Sequence, residues 1–417
     1  MSLLSIDEAL EWVVSHCPPR PVVDVPLREA LGCVLAETIR AEESVPPFAN
    51  TAMDGYAVRA ADTIGASAAN PVRLRVAGTI AAGAEPIAAV EPGTAVRIMT
   101  GAAMAPGSDA VVPVENIVRT SADATEIDVV QAAGVGDCVR PSGEDVRPGQ
   151  HLFDAGTELT PGHLGVLASI GALTVRSRRR LRVGVLSTGD ELVAPPTPLR
   201  IGQIRDSNRH TLLGLVEQLG LEPVDLGLAR DEETEIQEKI SGAVRSCDAL
   251  VTSGGVSMGD FDLVKVVLDR LSAADGAVAM RWMQIAIKPA KPLAFGVLGG
   301  VPVFGLPGNP VSCMVSFELF ARPALRRMLG HPSEVQSHVP VLAIADEDLR
   351  RNPDGKTHFA RVRAEFGSDG RLHVRSSGGQ ASNLLRAMAD ANALAVLPDG
   401  PTVAAGEELP VLLLDRR

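Results

Sequence analysis

The alternation of apolar and polar residues divides the chain into segments of different texture. Between 181 and about 329, short apolar runs alternate with segments whose apolar residues recur every three to four positions. The runs predict strands at 181–188, 222–229, 249–255, 292–298 and 301–308, and the intervening segments predict helices at 207–220, 233–247, 262–272 and 309–329. Strands that alternate with helices are typical of a mostly parallel sheet covered on both faces.

The first forty residues predict helices. Ser5 and Glu8 have the spacing of a capping box at the start of an apolar helical run, and Pro18 and Pro19 end that run. A second helix is expected over 27–39.

Two further segments are β-rich. From 46 to 140, short Val-rich runs are separated by Gly and Pro, and the segment after 331 has a similar texture, which favours a small barrel or sandwich. We therefore expect an α/β multidomain protein. Its expected parts are an N-terminal helical and linker domain (1–45 and 141–180), an inserted β-rich domain (46–140), a central mostly parallel α/β domain (181–330) and a C-terminal β-barrel-like domain (331–417).

Charge and composition limit the function classes. The formal net charge of −12 argues against nucleic acid, whose binding begins with a positive field. The basic run 176–182 is interpreted as a solvated linker, with an anion patch as the alternative. No apolar stretch approaches the ~20 residues that span a bilayer, and the N-terminus does not resemble a signal peptide. Five cysteines without CxxC spacing favour reduced thiols, so we expect a cytoplasmic protein.

Glycines and carboxylates follow the predicted strands, where parallel sheets bind ligands. The segments concerned are 188–191, 230–232, 253–262 and 307–310. Gly-rich turns expose N–H groups to an anion, and a hard cation such as Mg²⁺ would allow carboxylates beside it. Lys288 and Lys291 add positive charge in a loop stiffened by prolines. Each motif alone could be a turn or a helix cap, but together they favour a phosphorylated small molecule and a divalent metal.

Longer motifs lie in every part of the chain. They are PPFANTAMDGYAVRAAD (46–62), IMTGAAMAPGSDAVVPVE (98–115), RPSGEDV (140–146), VGVLSTGDELV (183–193), TSGGVSMGDFDLVK (252–265), IKPAKPLAFG (287–296), GLPGNPVS (305–312), GGQASNLL (378–385) and ANALAVLP (391–398). In content and order they resemble the motifs of the MoeA and gephyrin E-domain molybdopterin molybdenumtransferases, and the resemblance covers essentially the whole chain.

The resemblance implies an enzyme that inserts molybdate into adenylylated molybdopterin with Mg²⁺ and releases AMP. It also implies a four-part subunit and a homodimer, in which the α/β part of one subunit meets the two β-rich parts of the other. Further partners that it implies are the molybdopterin adenylyltransferase and recipient molybdoenzymes.

The same resemblance assigns individual residues by motif position. Glu191, Asp231 and Asp262 are assigned to the metal and the pyrophosphate, and Asp54 and Thr100 are added as catalytic positions. The substrate-binding positions are Arg140, Thr188, Ser253, Gly254, Gly255, Lys288, Lys291, Pro307, Pro310 and Ser382. The chain departs from the family at Pro141–Ser142, where a more basic pair is common, and residues 354–376 match no functional motif.

Two alternatives stay open at this point. Molybdopterin adenylyltransferases use the same α/β fold, but they resemble the α/β domain alone. A non-catalytic scaffold related to the family would have no need of the acidic positions, all of which are present here.

Overall fold

The computed structural model describes residues 3–118, 125–255, 263–275, 278–333 and 337–414. The chain folds as two compact units. The first comprises Met1–Ala36, Gly156–Leu159 and Val175–Arg417, and the second comprises Glu37–Ala155 and Thr160–Thr174. Across the described ranges, no helix is long and apolar enough to cross a membrane. The four-part division stays a prediction.

The N-terminal helix α1 spans Ile6–Ser15 and is capped as expected. The N–H of Glu8 donates to Ser5 Oγ at 3.2 Å, and the N–H of Ser5 donates to Glu8 Oε2 at 2.8 Å. Strand β1 (Val23–Pro26) follows.

The second helix predicted over 27–39 is wrong, because only a 3₁₀ turn forms at Leu27–Glu29. Gly32 has a φ of 75°, a left-handed conformation that ends a helix. Its N–H donates to Leu159 O at 2.8 Å, and the N–H of Leu35 donates to Thr157 O at 3.0 Å. Pairing with a distant segment therefore overrides local helix propensity.

The second unit is built from short strands, as its texture predicted. Its strands are β2 (Ile39–Arg40), β3 (Asn50–Thr51), β4 (Gly55–Val58), β5 (Val72–Ile80), β6 (Thr94–Ile98), β7 (Ala110–Pro113), β8 (Ile117–Val118), β9 (Glu126–Val129), β10 (Val139–Arg140) and β11 (His151–Phe153). Six of them form a sheet in the order β7-β4-β6-β5-β9-β8, and β10 pairs with β3. Helix α2 spans Pro161–Ser169.

The first unit contains the predicted mostly parallel sheet. Between residues 174 and 306, the strands of this unit, inside and outside the sheet, are β12 (Thr174–Ser177), β13 (Arg182–Thr188), β14 (Leu192–Val193), β15 (Ile204–Arg205), β16 (Glu222–Ala229), β17 (Ala249–Ser253), β18 (Arg281–Gln284), β19 (Ile287–Lys288), β20 (Pro292–Leu298) and β21 (Val301–Leu306). The sheet order is β16-β13-β17-β21-β20-β18. The first four strands run parallel, and β20 is antiparallel to both neighbours.

Helices cover both faces of this sheet. They are α3 (Asn208–Gln218), α4 (Glu233–Ser246), α5 (Leu263–Asp275), and a long C-terminal helix made of α6 (Pro310–Ser316), a π-helical segment (Phe317–Ala321) and α7 (Arg322–Leu329). Alternate strand residues point to opposite faces. Val185 and Val251 accordingly share one buried cluster with Leu212 of α3, whereas Leu250 shares another with Ile240 of α4.

The basic run 176–182 is bound within the first unit, which corrects its interpretation as a solvated linker. Arg179 donates to both carboxylate oxygens of Asp248, at 2.9 and 2.7 Å. Arg182 pairs with Glu222 at 2.8 Å. The carboxylate of Asp248 is buried and also accepts the N–H of Arg182. The run therefore anchors the amino end of the sheet.

The C-terminal strands close into a barrel, as predicted. They are β22 (Val341–Ala345), β23 (Thr357–Phe366), β24 (Leu372–Ser376), β25 (Ala393–Leu397) and β26 (Glu408–Leu413), and helix α8 spans Leu385–Ala389. The ring runs β23-β24-β22-β26-β25 and returns to β23. Strand β19 extends onto this barrel, because Lys288 pairs in parallel with His358 at the start of β23.

His373 on β24 lies between two carboxylates. Its Nδ1 is 2.7 Å from Asp346 Oδ1, and its Nε2 is 3.2 Å from Asp369 Oδ1. The hydrogen bond to Asp346, followed by that to Asp369, raises the pKa of His373. The resulting stabilisation is complete below the pKa of the unfolded state and disappears as the pH rises through the pKa of the folded state.

We predict that His373→Gln lowers the Tm at about pH 5.5 and changes it little at about pH 9. Thermal melts followed by circular dichroism measure this difference. In a background that carries Asp346→Asn and Asp369→Asn, the pH dependence of the difference should disappear. A loss of the same size at both pH values would contradict the assignment.

Candidate functional site

The turns after β13, β17 and β21 lie side by side, because parallel strands end at one edge of the sheet. Thr188 is the last residue of β13 and is buried. Gly254 follows β17 with a φ of 89°, and a Cβ placed on it would lie 2.8 Å from Thr188 O. Conformation and close approach therefore both require glycine at 254, so the turn brings its main chain directly against Thr188.

Gly255 and Ser253 complete this turn. A Cβ on Gly255 would lie 2.4 Å from Val264 Cβ, so this position also requires glycine. Ser253 is only 2% exposed, and its Oγ accepts a hydrogen bond from Asn208 Nδ2 at 2.7 Å. This contact places the hydroxyl of Ser253 in the interior, and its role towards substrate stays a prediction. Asn208 is not among the site residues that the sequence predicts.

Exposed carboxylates follow β13 and β16 at the same edge. Glu191 and Asp231, both assigned to the metal, are exposed. The sequence analysis did not single out Asp190 for a role, yet its N–H donates to Asp231 Oδ2 at 3.4 Å and the N–H of Asp231 donates to Asp190 Oδ1 at 3.1 Å. Asp262, the third assigned ligand, lies outside the described residues. Within the described ranges, no three His, Cys, Asp or Glu side chains are grouped closely enough to hold a metal ion.

A cavity of about 610 Å³ gathers predicted site residues from separate parts of the sequence. Its lining includes Lys288, Lys291, Pro307 and Ser382, four of the predicted substrate-binding residues. The cavity also includes Lys356, which lies in the segment without a functional motif. Lys288 and Lys291 are exposed and form no ion pair with any described residue, whereas Lys356 pairs with Asp354 at 3.2 Å. We name this space the lysine cavity.

The wall of the lysine cavity is held by main-chain contacts. Pro310 is the first residue of α6 and follows the cap residue Asn309, as expected for proline at a helix start. The N–H of Val311 donates to Ser382 O at 3.1 Å. The loop at 379–382 of the barrel region is thereby fixed to the amino end of α6.

Arg361 supports the same loop from the barrel side. This arginine is not among the site residues that the sequence predicts. It is 1% exposed, and its guanidinium donates to Gly379 O at 2.8 Å and to Ala381 O at 3.1 Å. Burial lowers the pKa of Arg361 to about 10, which leaves it charged at neutral pH. The side chain of Gln380 also bridges the N–H and the O of Arg361.

A second cavity of about 490 Å³ shares Lys288, Pro289, Gln380 and Ala381 with the lysine cavity. Arg350 and His358 are also in its lining. Burial lowers the pKa of His358, which favours its neutral form. Among the described residues, the lining of both cavities contains lysine or arginine and no aspartate or glutamate, in a protein whose formal net charge is −12.

In the second unit, Asp54 and Thr100 are in direct contact. Asp54 Oδ1 accepts both the hydroxyl and the N–H of Thr100, each at 2.7 Å. These two hydrogen bonds, that of the hydroxyl more than that of the N–H, lower the pKa of Asp54, so its carboxylate stays ionised. Arg140 is exposed on β10, opposite Asn50 of β3.

A mostly parallel sheet with Gly-rich turns and a cationic cavity defines an α/β protein suited to anionic ligands. Three family models match the chain: "MoeA N-terminal region (domain I and II)" over residues 4–171, "Probable molybdopterin binding domain" over 184–327 and "MoeA C-terminal region (domain IV)" over 343–414.

Relatives match over nearly full length. The chain is 39% identical to molybdopterin molybdenumtransferase 2 of Mycobacterium tuberculosis, over 94% of this chain and 95% of that protein. It is 38% identical to the molybdopterin molybdenumtransferase of Haemophilus influenzae, over 98% of each. A solved MoeA protein from Pyrococcus horikoshii has a TM-score of 0.76 at 33% identity and 100% coverage of both chains. The chain belongs to the MoeA family of molybdopterin molybdenumtransferases.

We predict that Arg361→Met destabilises the protein by roughly 2–4 kcal/mol, because the loop at 379–382 loses two charge-assisted hydrogen bonds from a buried guanidinium. Urea unfolding measures the change. Arg363→Met is the matched control, since Arg363 lies two residues along the same strand, is exposed and pairs with Glu365 at the surface. The control should change stability by less than about 0.5 kcal/mol. Equal effects of the two substitutions would show that Arg361 does not hold the loop.

Proposed function

We propose that this chain inserts molybdate into adenylylated molybdopterin. In the proposed reaction, water hydrolyses the phosphoanhydride between the molybdopterin phosphate and AMP, AMP leaves, and the dithiolene sulfurs bind molybdenum while an oxygen of molybdate leaves as water. The observation that carries the proposal is the lysine cavity beside the Gly-rich sheet edge. Membership of a family whose relatives are named for this reaction supports it.

The charge distribution of the lysine cavity fits an oxyanion substrate. The chain has five lysines, which are Lys239, Lys265, Lys288, Lys291 and Lys356, and the last three line this one cavity. Molybdate is a dianion, and its oxygens accept charge-assisted hydrogen bonds from ammonium groups. Unlike Lys356, Lys288 and Lys291 form no ion pair with the described residues, so their charge is available to a ligand.

We also propose that the carboxylate edge takes Mg²⁺. Glu191 and Asp231 are exposed there and offer the oxygen ligands that Mg²⁺ prefers, and Asp262 is proposed as a third. Two protein carboxylates are sufficient, because Mg²⁺ commonly completes its shell with water and phosphate oxygens. When bound, Mg²⁺ would stabilise negative charge on the phosphoanhydride as a Lewis acid. The reciprocal bonds between Asp190 and Asp231 keep the two turns together.

Asp54 and Thr100 are proposed to act in the same reaction, on the strength of the resemblance. Their hydrogen bonds hold an ionised carboxylate in a fixed orientation. A cytoplasmic location and contacts with the adenylyltransferase and with recipient molybdoenzymes also stay predictions.

The function is tested by incubating the purified protein with adenylylated molybdopterin, molybdate and Mg²⁺ and by measuring AMP release and molybdenum-loaded cofactor. The proposal expects both products, each dependent on molybdate. Adenylylation of molybdopterin by ATP with release of pyrophosphate, without molybdenum insertion, would contradict it and favour an adenylyltransferase.

Lys288→Ala and Lys291→Ala should each raise the molybdate concentration that gives half-maximal AMP release by about ten- to a hundredfold. The reason is the loss of one charge-assisted hydrogen bond to the oxyanion. The Tm should change little, because both lysines are exposed. Titration of molybdate against AMP release measures the effect. Lys239→Ala is the control, since Lys239 donates to Leu226 O on the sheet and is not in the lining of the lysine cavity. Wild-type titration curves for both cavity variants would overturn the anion site.

We propose that the active form is a homodimer, which rests on the full-length resemblance to a dimeric family. Light scattering at micromolar concentration should give about twice the 43.6 kDa of one chain. A monomer that retains full activity would contradict this.

A further inference from the structure

Asn208, the first residue of α3, donates to two separate turns of the site. Its Nδ2 is 2.7 Å from Ser253 Oγ and 2.7 Å from Gly308 O. Ser253 begins the turn after β17, and Gly308 belongs to the turn after β21. A main-chain carbonyl can only accept, so the nitrogen of the amide must face Gly308. One side chain thus bridges turns that are far apart in sequence.

The two turns also contact each other, so the two hydrogen bonds of Asn208 affect the distance between the turns. A Cβ placed on Gly308 would lie 3.8 Å from Gly254 Cα. The N–H of Gly254 donates to Leu306 O at 3.1 Å. Gly308 is in the lining of the lysine cavity. A change at Asn208 would therefore alter both the glycine turn and one wall of the cavity.

The side-chain oxygen of Asn208, Oδ1, argues against a purely structural role for this residue. The residue is 9% exposed, and its Oδ1 has no hydrogen-bond partner among the described residues. A buried acceptor without a partner destabilises a fold. The start of α3 is already capped, since Asp206 Oδ1 accepts the N–H of Arg209 at 3.2 Å. Helix capping therefore does not require Asn208.

We infer that Asn208 is a positioning residue, which sets the spacing between the turns at 253–255 and 307–309 and thereby the shape of the substrate site. The inference rests on the proposed function for the identity of the substrate. The bridge itself is a property of the free protein and can be tested without substrate.

Asn208→Asp is the central variant, because it keeps the shape and replaces the donor by a carboxylate oxygen. An ionised aspartate cannot donate to Gly308 O, whereas a protonated one can. We expect kcat/KM for AMP release to fall about tenfold at neutral pH. The ratio of variant to wild-type activity should recover as the pH is lowered. A defect that does not arise from the ionised carboxylate would not be relieved by protonation.

Hydrogen–deuterium exchange of the substrate-free protein gives a second readout. Asn208→Asp should accelerate exchange in the peptides that contain the turns at 253–255 and 307–309, both at once. Ser207→Ala, one residue earlier on the same helix start, should leave both turns and the activity unchanged. If Asn208→Asp does not fold, Ser253→Ala removes only one of the two acceptors and should accelerate exchange at 253–255 alone.

Exchange at wild-type rates in both turns of a folded Asn208→Asp would overturn the inference. A ratio of variant to wild-type activity that does not change with pH would also overturn it. Accelerated exchange at both turns in Ser253→Ala would do the same. If the wild-type protein itself released no AMP, the proposed function would fail, while the exchange experiment would still decide the role of Asn208.

Discussion

The position of Lys288 depends on one main-chain pairing, that of β19 with the first residues of β23. Without this pairing, the loop that carries Lys288 would not be held against the barrel at this point. The N–H of Val311, donated to Ser382 O, provides a second connection across the cavity. Because both contacts use the main chain, they hold the loops independently of the side chains that face the ligand. The lysines are therefore presented by a rigid frame, which lowers the entropy lost on binding.

Charge placement gives this frame its specificity. Three like charges that line one cavity repel one another, and among the described residues only Lys356 of the three has a carboxylate partner, Asp354. An anion that binds between the lysines relieves this repulsion, so binding and stability are coupled. The formal net charge of the whole chain is −12, so this group of cations differs in sign from the average charge of the protein.

Much of the fold could be predicted from local patterns. The apolar runs at 182–188 and 249–253 became central parallel strands because continuous apolar sequence suits a strand buried on both faces. The helix expected over 27–39 failed because Gly32 takes a left-handed conformation and because the segment pairs with 157–159, a non-local contact that periodicity does not encode.

The residues of the candidate site also fall into those that local sequence predicts and those that only the folded chain reveals. Lys288 and Lys291 stand out in the sequence because both lie among prolines. Lys356, Arg361 and Asn208 carry no local signal. Arg361 acts through carbonyls 18 and 20 residues away, and Asn208 acts through contacts 45 and 100 residues away, so only the folded chain reveals them.

The central claim is that the lysine cavity binds the oxyanion substrate. The most direct measurement is an anomalous difference map, recorded at the molybdenum absorption edge from crystals of the protein soaked in molybdate. The account predicts a peak within about 4.5 Å of the ammonium groups of Lys288 and Lys291, because an oxygen of molybdate lies between each nitrogen and the metal. An empty lysine cavity at molybdate concentrations that support AMP release, or a molybdenum peak only at another place in the protein, would contradict it.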